Sequence, residues 1–260
     1  LTGRLTGKAR QTLLERLAAG AIHLAVGTHA LFQETVVFAE LALAIVDEQH
    51  RFGVHQRLAL REKGRASGRC PHQLIMTATP IPRTLAMSAY ADLDTSTIDE
   101  LPPGRQPVRT VVVPDGRRDE VVERIRQACR AGRQAYWVCP LIEESEVLQS
   151  QAAVVTAERL TARLPELRIG LAHGRLAAAA REAAMTAFKA GELDLLVATT
   201  VIEVGVDVAN ASLMIIENAE RLGLAQLHQL RGRVGRGAAQ SSCVLLYRPP
   251  LSQIAHSRLA

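Results

Sequence analysis

Toward the end of the chain, Gln226-Leu227-His228-Gln229-Leu230-Arg231-Gly232-Arg233-Val234-Gly235-Arg236-Gly237 sets glutamines, glycines and arginines at fixed offsets behind a hydrophobic segment. A guanidinium stays charged at any working pH and presents a planar fork of donors that grips phosphate oxygens in pairs. On a glycine-punctuated turn, such groups could reach the phosphates of a nucleotide held by another domain. A basic, solvated helix and turn fits the same residues. The surrounding sequence decides between the two readings.

Acidic chemistry is concentrated at Asp47-Glu48-Gln49-His50, directly after the apolar run 41–46. Two adjacent carboxylates at the end of a buried strand can divide labour. Asp47 would hold Mg2+, usually through water, and Glu48 would orient and deprotonate an attacking water. The competing use of Asp47 is to cap a helix beginning near Gln49. The next apolar run ends in Met76-Thr77-Ala78-Thr79-Pro80. There Thr77 and Thr79 either hydrogen-bond across to the 47–50 loop or cap a helix entry set by the prolines.

Three further segments fit contact with phosphates, each beside a plainer alternative. Gly27-Thr28-His29-Ala30 offers backbone N–H groups and a hydroxyl to a nucleic-acid phosphate, or forms a tight turn capped by Thr28. Thr199-Thr200-Val201-Ile202-Glu203-Val204-Gly205-Val206-Asp207 delivers hydroxyls, a glycine and a carboxylate to a strand end. In it Asp207 could accept from a ribose hydroxyl and Thr199 and Thr200 could touch phosphate, while Ile202, Val204 and Val206 read as core. His173-Gly174-Arg175 is either a phosphate contact or a plain turn.

These segments must be carried by ordered elements, and the pattern is that of parallel strands covered by helices. Short apolar runs alternate with amphipathic stretches of helical period. Strands are expected at 22–26, 41–46 and 74–76, then at 111–113, 135–139, 169–172, 193–198, 213–216 and 244–247. Helices are expected at 11–19, 120–129, 155–164, 176–189 and 225–231. Three prolines and a glycine within 101–107 cannot continue a helix or a central strand. They set a first domain over 1–97, a linker over 98–110 and a second domain over 111–260. The first offers few strands for a sheet of its own, and the chain opens on Leu1 rather than methionine. An incomplete first domain is the expectation.

Composition narrows the function classes. Hydrophobic residues make up 48% and charged residues 22%, ordinary values for a globular chain with a sizeable core. A net charge of +5 leans toward an anionic partner. Aromatics at 3% argue against a single-strand binder built on many stacking platforms, and favour contact through phosphates. Cys70, Cys129, Cys139 and Cys243 are scattered, without the spacing of a zinc site, and read as reduced thiols. No apolar run is long enough to span a membrane.

Taken in order, Asp-Glu-x-His at 47–50, Thr-Ala-Thr at 77–79, the threonine-rich strand end at 199–207 and Gln-x-x-Gly-Arg-x-Gly-Arg at 229–236 resemble the superfamily-two helicases and translocases. Within them, the stretches 27–32, 47–54, 76–86, 89–95, 98–104, 141–146, 198–207 and 216–237 resemble bacterial motors that remodel branched DNA. The transcription–repair coupling translocases share several of these segments but tend to carry a second Glu where this chain has Gln49. They remain the alternative within the family. A non-catalytic nucleic-acid-binding module on a helicase-like fold is the alternative outside it.

The resemblance implies two RecA-like parallel-sheet domains of the α/β, P-loop NTPase type, the first incomplete, and an ATP-dependent DNA helicase that uses ATP and Mg2+. Asp47 would bind the metal and Glu48 activate water. Gln229 would lie near the γ-phosphate, with Arg233 and Arg236 as arginine fingers. His50, Thr77 and Thr79 would couple hydrolysis to movement. Gly205 and Asp207 would meet the nucleotide, and Thr28, His173, Arg175 and Thr200 the DNA. Branched duplex DNA, stalled forks and Holliday junctions would be the partners of a monomeric bacterial cytoplasmic protein. No G-x-x-x-x-G-K-[ST] occurs in the chain, since Gly3-Arg4-Leu5-Thr6-Gly7-Lys8 has the wrong spacing and runs into Ala9. These residues alone are therefore expected to hydrolyse ATP poorly.

Overall fold

Strands covered on both faces need unbroken apolar runs, and the stretches 134–138, 195–198 and 211–216 supply them. The computed structural model of the chain describes residues 1–3, 5–48, 63, 70–77, 94–102, 104–140, 146–199, 208–235, 237 and 240–259. They divide into two compact units, Leu1–Asp94 and Thr95–Ala260.

The first unit contains helix α1 (Gly7–Ala18), a short 3-10 turn at His29–Phe32, and two parallel strands, β1 (Leu43–Val46) and β2 (His72–Ile75). Pairing runs in register from Leu43 opposite His72 to Val46 opposite Ile75. Side chains alternate along β1: Ala44 and Val46 are buried beside Phe32 and Leu41, while Leu43 and Ile45 are exposed. The strand expected over 22–26 does not form. A strand needs a ladder neighbour, and this segment bonds to the chain terminus instead. The Leu1 amino group donates to Val26 O at 2.5 Å, and Thr28 N donates to Leu1 O at 3.1 Å. Leu24 and Val26 stay exposed.

The second unit is an open parallel sheet. Its strands are β3 (Arg109–Pro114), β4 (Gln134–Val138), β5 (Ile169–Ala172), β6 (Leu195–Ala198), β7 (Ala211–Ile216) and β8 (Ser242–Tyr247). Their spatial order is β3-β8-β7-β4-β6-β5, with every pair parallel. Among the described residues, five helices accompany them: α2 (Arg118–Arg130), α3 (Glu146–Arg163), α4 (Ala178–Lys189), α5 (Leu224–Arg231) and α6 (Gln253–Leu259). Strand boundaries fall close to expectation. Helix α3 begins well before residue 155, and α6 was not expected, because only Ala255 and Leu259 of its short span are buried.

Alternation along the central strands feeds two separate cores. Tyr136, Val138, Leu196, Ala198, Met214 and Ile216 point to one face, packed with Phe188 of α4, Leu227 and Leu230 of α5 and Leu259 of α6. Ala135, Trp137, Leu195, Val197 and Ile215 point to the other, packed with Val122 and Ile125 of α2, Leu160 of α3 and Leu164 just after it. Helices on both faces leave the strand ends as the place for polar chemistry. At the opposite end, Arg168 holds Asp194 through two guanidinium hydrogen bonds of 3.0 and 2.7 Å. Cys129 and Cys243 are buried, and burial pushes their thiols up to about 11 and about 12, so they pack as small apolar groups.

Phe188 is wholly buried, with its ring centroid 4.8 Å from that of Tyr136. Phe188→Ala is expected to destabilise the second unit by about 3–5 kcal/mol, measured from the denaturant midpoint followed by circular dichroism. A loss below about 1 kcal/mol would contradict this packing.

Candidate functional site

In the first unit, Asp47 and Glu48 leave β1 at the same edge where Met76 and Thr77 leave β2. The pairing continues one step past the strands, Met76 N donating to Val46 O at 2.8 Å. Parallel register thus brings the carboxylate pair and Thr77 to neighbouring strand ends. Asp47 is exposed, and its Oδ1 accepts from the Glu48 amide at 2.8 Å. Glu48 has φ +52°, a left-handed conformation that a non-glycine residue adopts at a cost. Among the described residues no three His, Cys, Asp or Glu side chains gather as an all-protein metal cage. A lone carboxylate is the donor set Mg2+ uses when phosphates and waters complete its shell, so Asp47 fits that ion.

In the second unit, the ends of four strands, β5, β6, β4 and β7, are tied to one another by three backbone hydrogen bonds. Thr199 N donates to Ala172 O at 3.2 Å, Cys139 N to Ala198 O at 2.8 Å and Glu217 N to Val138 O at 2.9 Å. His173 and Thr199 therefore sit at adjacent strand ends, both buried, with Arg175 exposed beyond them. Burial, and next the Arg175 charge, hold the His173 pKa below 6.5. Both causes favour the neutral form of the imidazole.

Sequence reasoning did not find the network beneath this edge. Glu217 Oε1 accepts from Trp137 Nε1 at 2.7 Å and pairs with the Arg118 guanidinium. Arg118 Nε also reaches Asp115 Oδ1 at 3.2 Å, and its Cζ stands 5.3 Å from the Trp137 ring centroid. Burial works against the Arg118 charge, yet Glu217 and Asp115 hold its pKa above the usual arginine value. The adjoining Cys139 thiol is pushed well up by burial and by the Glu217 charge. Glu217 lies far in sequence from Trp137 and Arg118 and shares no motif with them. The one available signal was the chain's single tryptophan inside an apolar strand, since a buried indole N–H needs an acceptor.

After Glu217 the chain turns at Asn218, φ +44°, into a short 3-10 turn at Ala219–Arg221 and then α5. Gln226 Oε1 accepts from Gly223 N at 3.1 Å, closing the helix start, while Leu227 and Leu230 anchor its inner face. Gln229 and Arg233 are half-buried, and Arg233 N donates to Leu230 O at 3.0 Å just after the helix ends. Thr28 is exposed at the start of the His29–Phe32 turn, where its side chain makes no capping hydrogen bond. His50, Thr79, Thr200, Gly205, Asp207 and Arg236 lie outside the described residues.

With this geometry in place, comparison with known proteins is direct. The family model for the helicase conserved C-terminal domain matches residues 116–238. The ATP-dependent DNA helicase RecG of Escherichia coli is 69% identical over 260 residues, which is 100% of this chain and 38% of that protein. RecG of Mycobacterium bovis is 50% identical over 271 residues, covering 100% of this chain and 37% of its own length. A solved structure of RecG bound to a three-way DNA junction superposes with a TM-score of 0.71 at 45% identity, over 100% of this chain and 33% of that one.

Along its whole length the chain is similar to the RecG helicases of several bacteria. It spans 38% of the length of its Escherichia coli relative and corresponds to part of the helicase region. The six-stranded sheet is the RecA-like C-terminal helicase fold, as expected from the sequence. A mycobacterial helicase, Lhr from Mycobacterium smegmatis, shares that fold at 23% identity and a TM-score of 0.65, over 95% of this chain and 34% of its own.

Two measurements check the second unit's edge. The His173 imidazole, followed by NMR, is expected to titrate below 6.5; a midpoint at or above that value would remove the buried, neutral state. A lowered folded pKa means that the unfolded chain takes up the proton first. His173 therefore contributes stability above pH 6.5 that is lost as pH falls through the folded pKa. Separately, Glu217→Ala leaves the buried Trp137 N–H without its acceptor and Arg118 with Asp115 alone, and should cost about 1–3 kcal/mol in denaturant unfolding. An unchanged midpoint would rule out that linkage.

Proposed function

We propose that the full-length protein is an ATP-dependent double-stranded DNA translocase and helicase of RecG type, remodelling stalled replication forks and branch-migrating Holliday junctions in DNA repair and recombination. The observation that carries this reading is the 69% identity to Escherichia coli RecG across all 260 residues. The carboxylate pair at the end of β1 and the arginine segment after α5 agree with it. Residues 1–97 are read as the carboxyl-terminal part of the first RecA-like domain, 98–110 as a linker and 111–260 as the second domain. The partner is branched duplex DNA, consistent with the three-way junction in the RecG complex. The protein would act as a monomer in the bacterial cytoplasm.

The chemistry assigned to these residues is in-line attack of water on the γ-phosphorus of ATP. Glu48 orients that water and takes its proton as the new P–O bond forms and the bond to the departing ADP oxygen breaks. Asp47 would hold Mg2+, which when bound neutralises phosphate charge. Arg233 and Arg236 stabilise the charge that spreads over the transferred group, worth about a thousandfold or more in comparable enzymes. Gln229 positions the γ-phosphate side of the site, and Gly205 and Asp207 hold the nucleoside side. His50, Thr77 and Thr79 pass the change at the phosphate to the DNA-facing residues Thr28, His173, Arg175 and Thr200.

In the full-length protein, Glu48→Gln is expected to abolish DNA-stimulated ATP turnover while leaving nucleotide affinity within about twofold, measured by phosphate release and fluorescent-nucleotide titration. Retained turnover would remove Glu48 from the proton-accepting role. The 260 residues alone contain no G-x-x-x-x-G-K-[ST] and should show no Arg233-dependent, DNA-stimulated ATPase.

A further inference from the structure

The proline-rich segment before β3 lies against the arginine turn after α5. Arg105 N donates to Pro102 O at 3.1 Å, and Gly104, at φ +80°, makes the tight turn that presents the Arg105 side chain. Arg105 Nε then donates to Gly235 O at 3.1 Å, across 130 residues of sequence. Gly235 itself has φ +79°, and a Cβ there would meet Val108 Cγ2 at 2.6 Å and Gln106 O at 3.8 Å. One residue further, Arg109 N donates to Ser241 O at 2.9 Å. The Arg105 side chain and the Arg109 amide therefore hold Gly235 and Ser241, respectively. Gly235 stands two residues after Arg233, so the carbonyl that Arg105 holds belongs to the turn that follows Arg233.

We propose that Arg105 is a positioning residue for ATP hydrolysis, setting the reach of Arg233 by fixing the Gly235 peptide. This rests on the reading of Arg233 as an arginine finger. The physical argument is one of tolerance. A cation acts on a transition state only when held to within a fraction of an ångström, and a displacement of about 1 Å costs about a hundredfold. A turn entered by glycine on one side and bearing Gly235 in the left-handed region has little stiffness of its own. The hydrogen bond from Arg105 supplies that stiffness from a neighbouring segment, and Val108 leaves no room for a side chain at Gly235. The same residues join the first unit's chain to β3, so a change in the linker would be felt at the arginine turn.

The test uses the full-length protein with Arg105→Ala and with Arg105→Met, which keeps the aliphatic length and removes the donor. Both should lower kcat for DNA-stimulated ATP hydrolysis by about ten- to a hundredfold, with KM for ATP and affinity for ADP within about twofold. Affinity for ADP with aluminium fluoride, which mimics the transferred phosphoryl group, should fall alongside kcat. In an Arg233→Ala background, the Arg105 substitutions should add less than about twofold, because both act through one guanidinium. Wild-type kcat in the Arg105 variants would overturn the proposal. So would an additive loss in the double variant, or ADP affinity falling as far as that of the mimic, since either marks a general structural role. If Arg233→Ala alone keeps full turnover, the finger reading fails and this inference falls with it. That outcome is distinct from a silent Arg105 beside an inactive Arg233→Ala.

Discussion

Parallel strand pairing is the constraint from which the rest of the architecture follows. Two strands that run in the same direction cannot be joined by a tight turn, so each return requires a crossover, and the helices that make it cover both faces of the sheet. In the second unit this produces two cores on opposite sides of β4, β6 and β7. It also forces every strand to end at the same edge. Polar groups have no room on the faces, and they collect where strands stop: Thr77 and Asp47-Glu48 in one unit, His173, Thr199 and Glu217 in the other.

At that edge, hydrogen-bonded backbone sets how far each polar residue stands from the next. The bonds from Thr199, Cys139 and Glu217 to the preceding carbonyls of neighbouring strands carry the ladder one residue past the apolar runs. Glu217 then anchors a buried cluster with Trp137 and Arg118. A buried carboxylate with a single partner would be costly, whereas one shared between an indole N–H and a guanidinium is satisfied. From Glu217 the chain passes through the left-handed Asn218 directly into the helix that bears Gln229. The cluster and the arginine segment are thus consecutive parts of one rigid path, braced from the far side by Arg105.

Much of this was legible in the residues. Strands β4, β6 and β7 were readable because a parallel core strand has no polar side to disguise it. Asp47-Glu48 and Thr77 were assigned to strand ends because their polarity begins abruptly after apolar runs. The stretch 22–26 misled, since Leu24 and Val26 have strand-like character yet remain exposed, with backbone bonds to Leu1 in place of a ladder. Helix α6 was passed over because its span is short and its buried residues few. Long-range pairs were invisible for a different reason: nothing local in Arg118 announces Glu217, and nothing local in Arg105 announces Gly235.

The sequence by itself determined the α/β class, the order of the strands along the chain and the residue types able to meet phosphate, metal and water. Those properties are local, written in apolar periodicity, proline and glycine breaks and short motifs. Tertiary structure alone decided the spatial order β3-β8-β7-β4-β6-β5, the left-handed backbone at Glu48, and the partners of Glu217 and Gly235. Each of these depends on which distant segments share a boundary after both faces of the sheet are covered. Burial settles that choice, and no spacing along the chain records it.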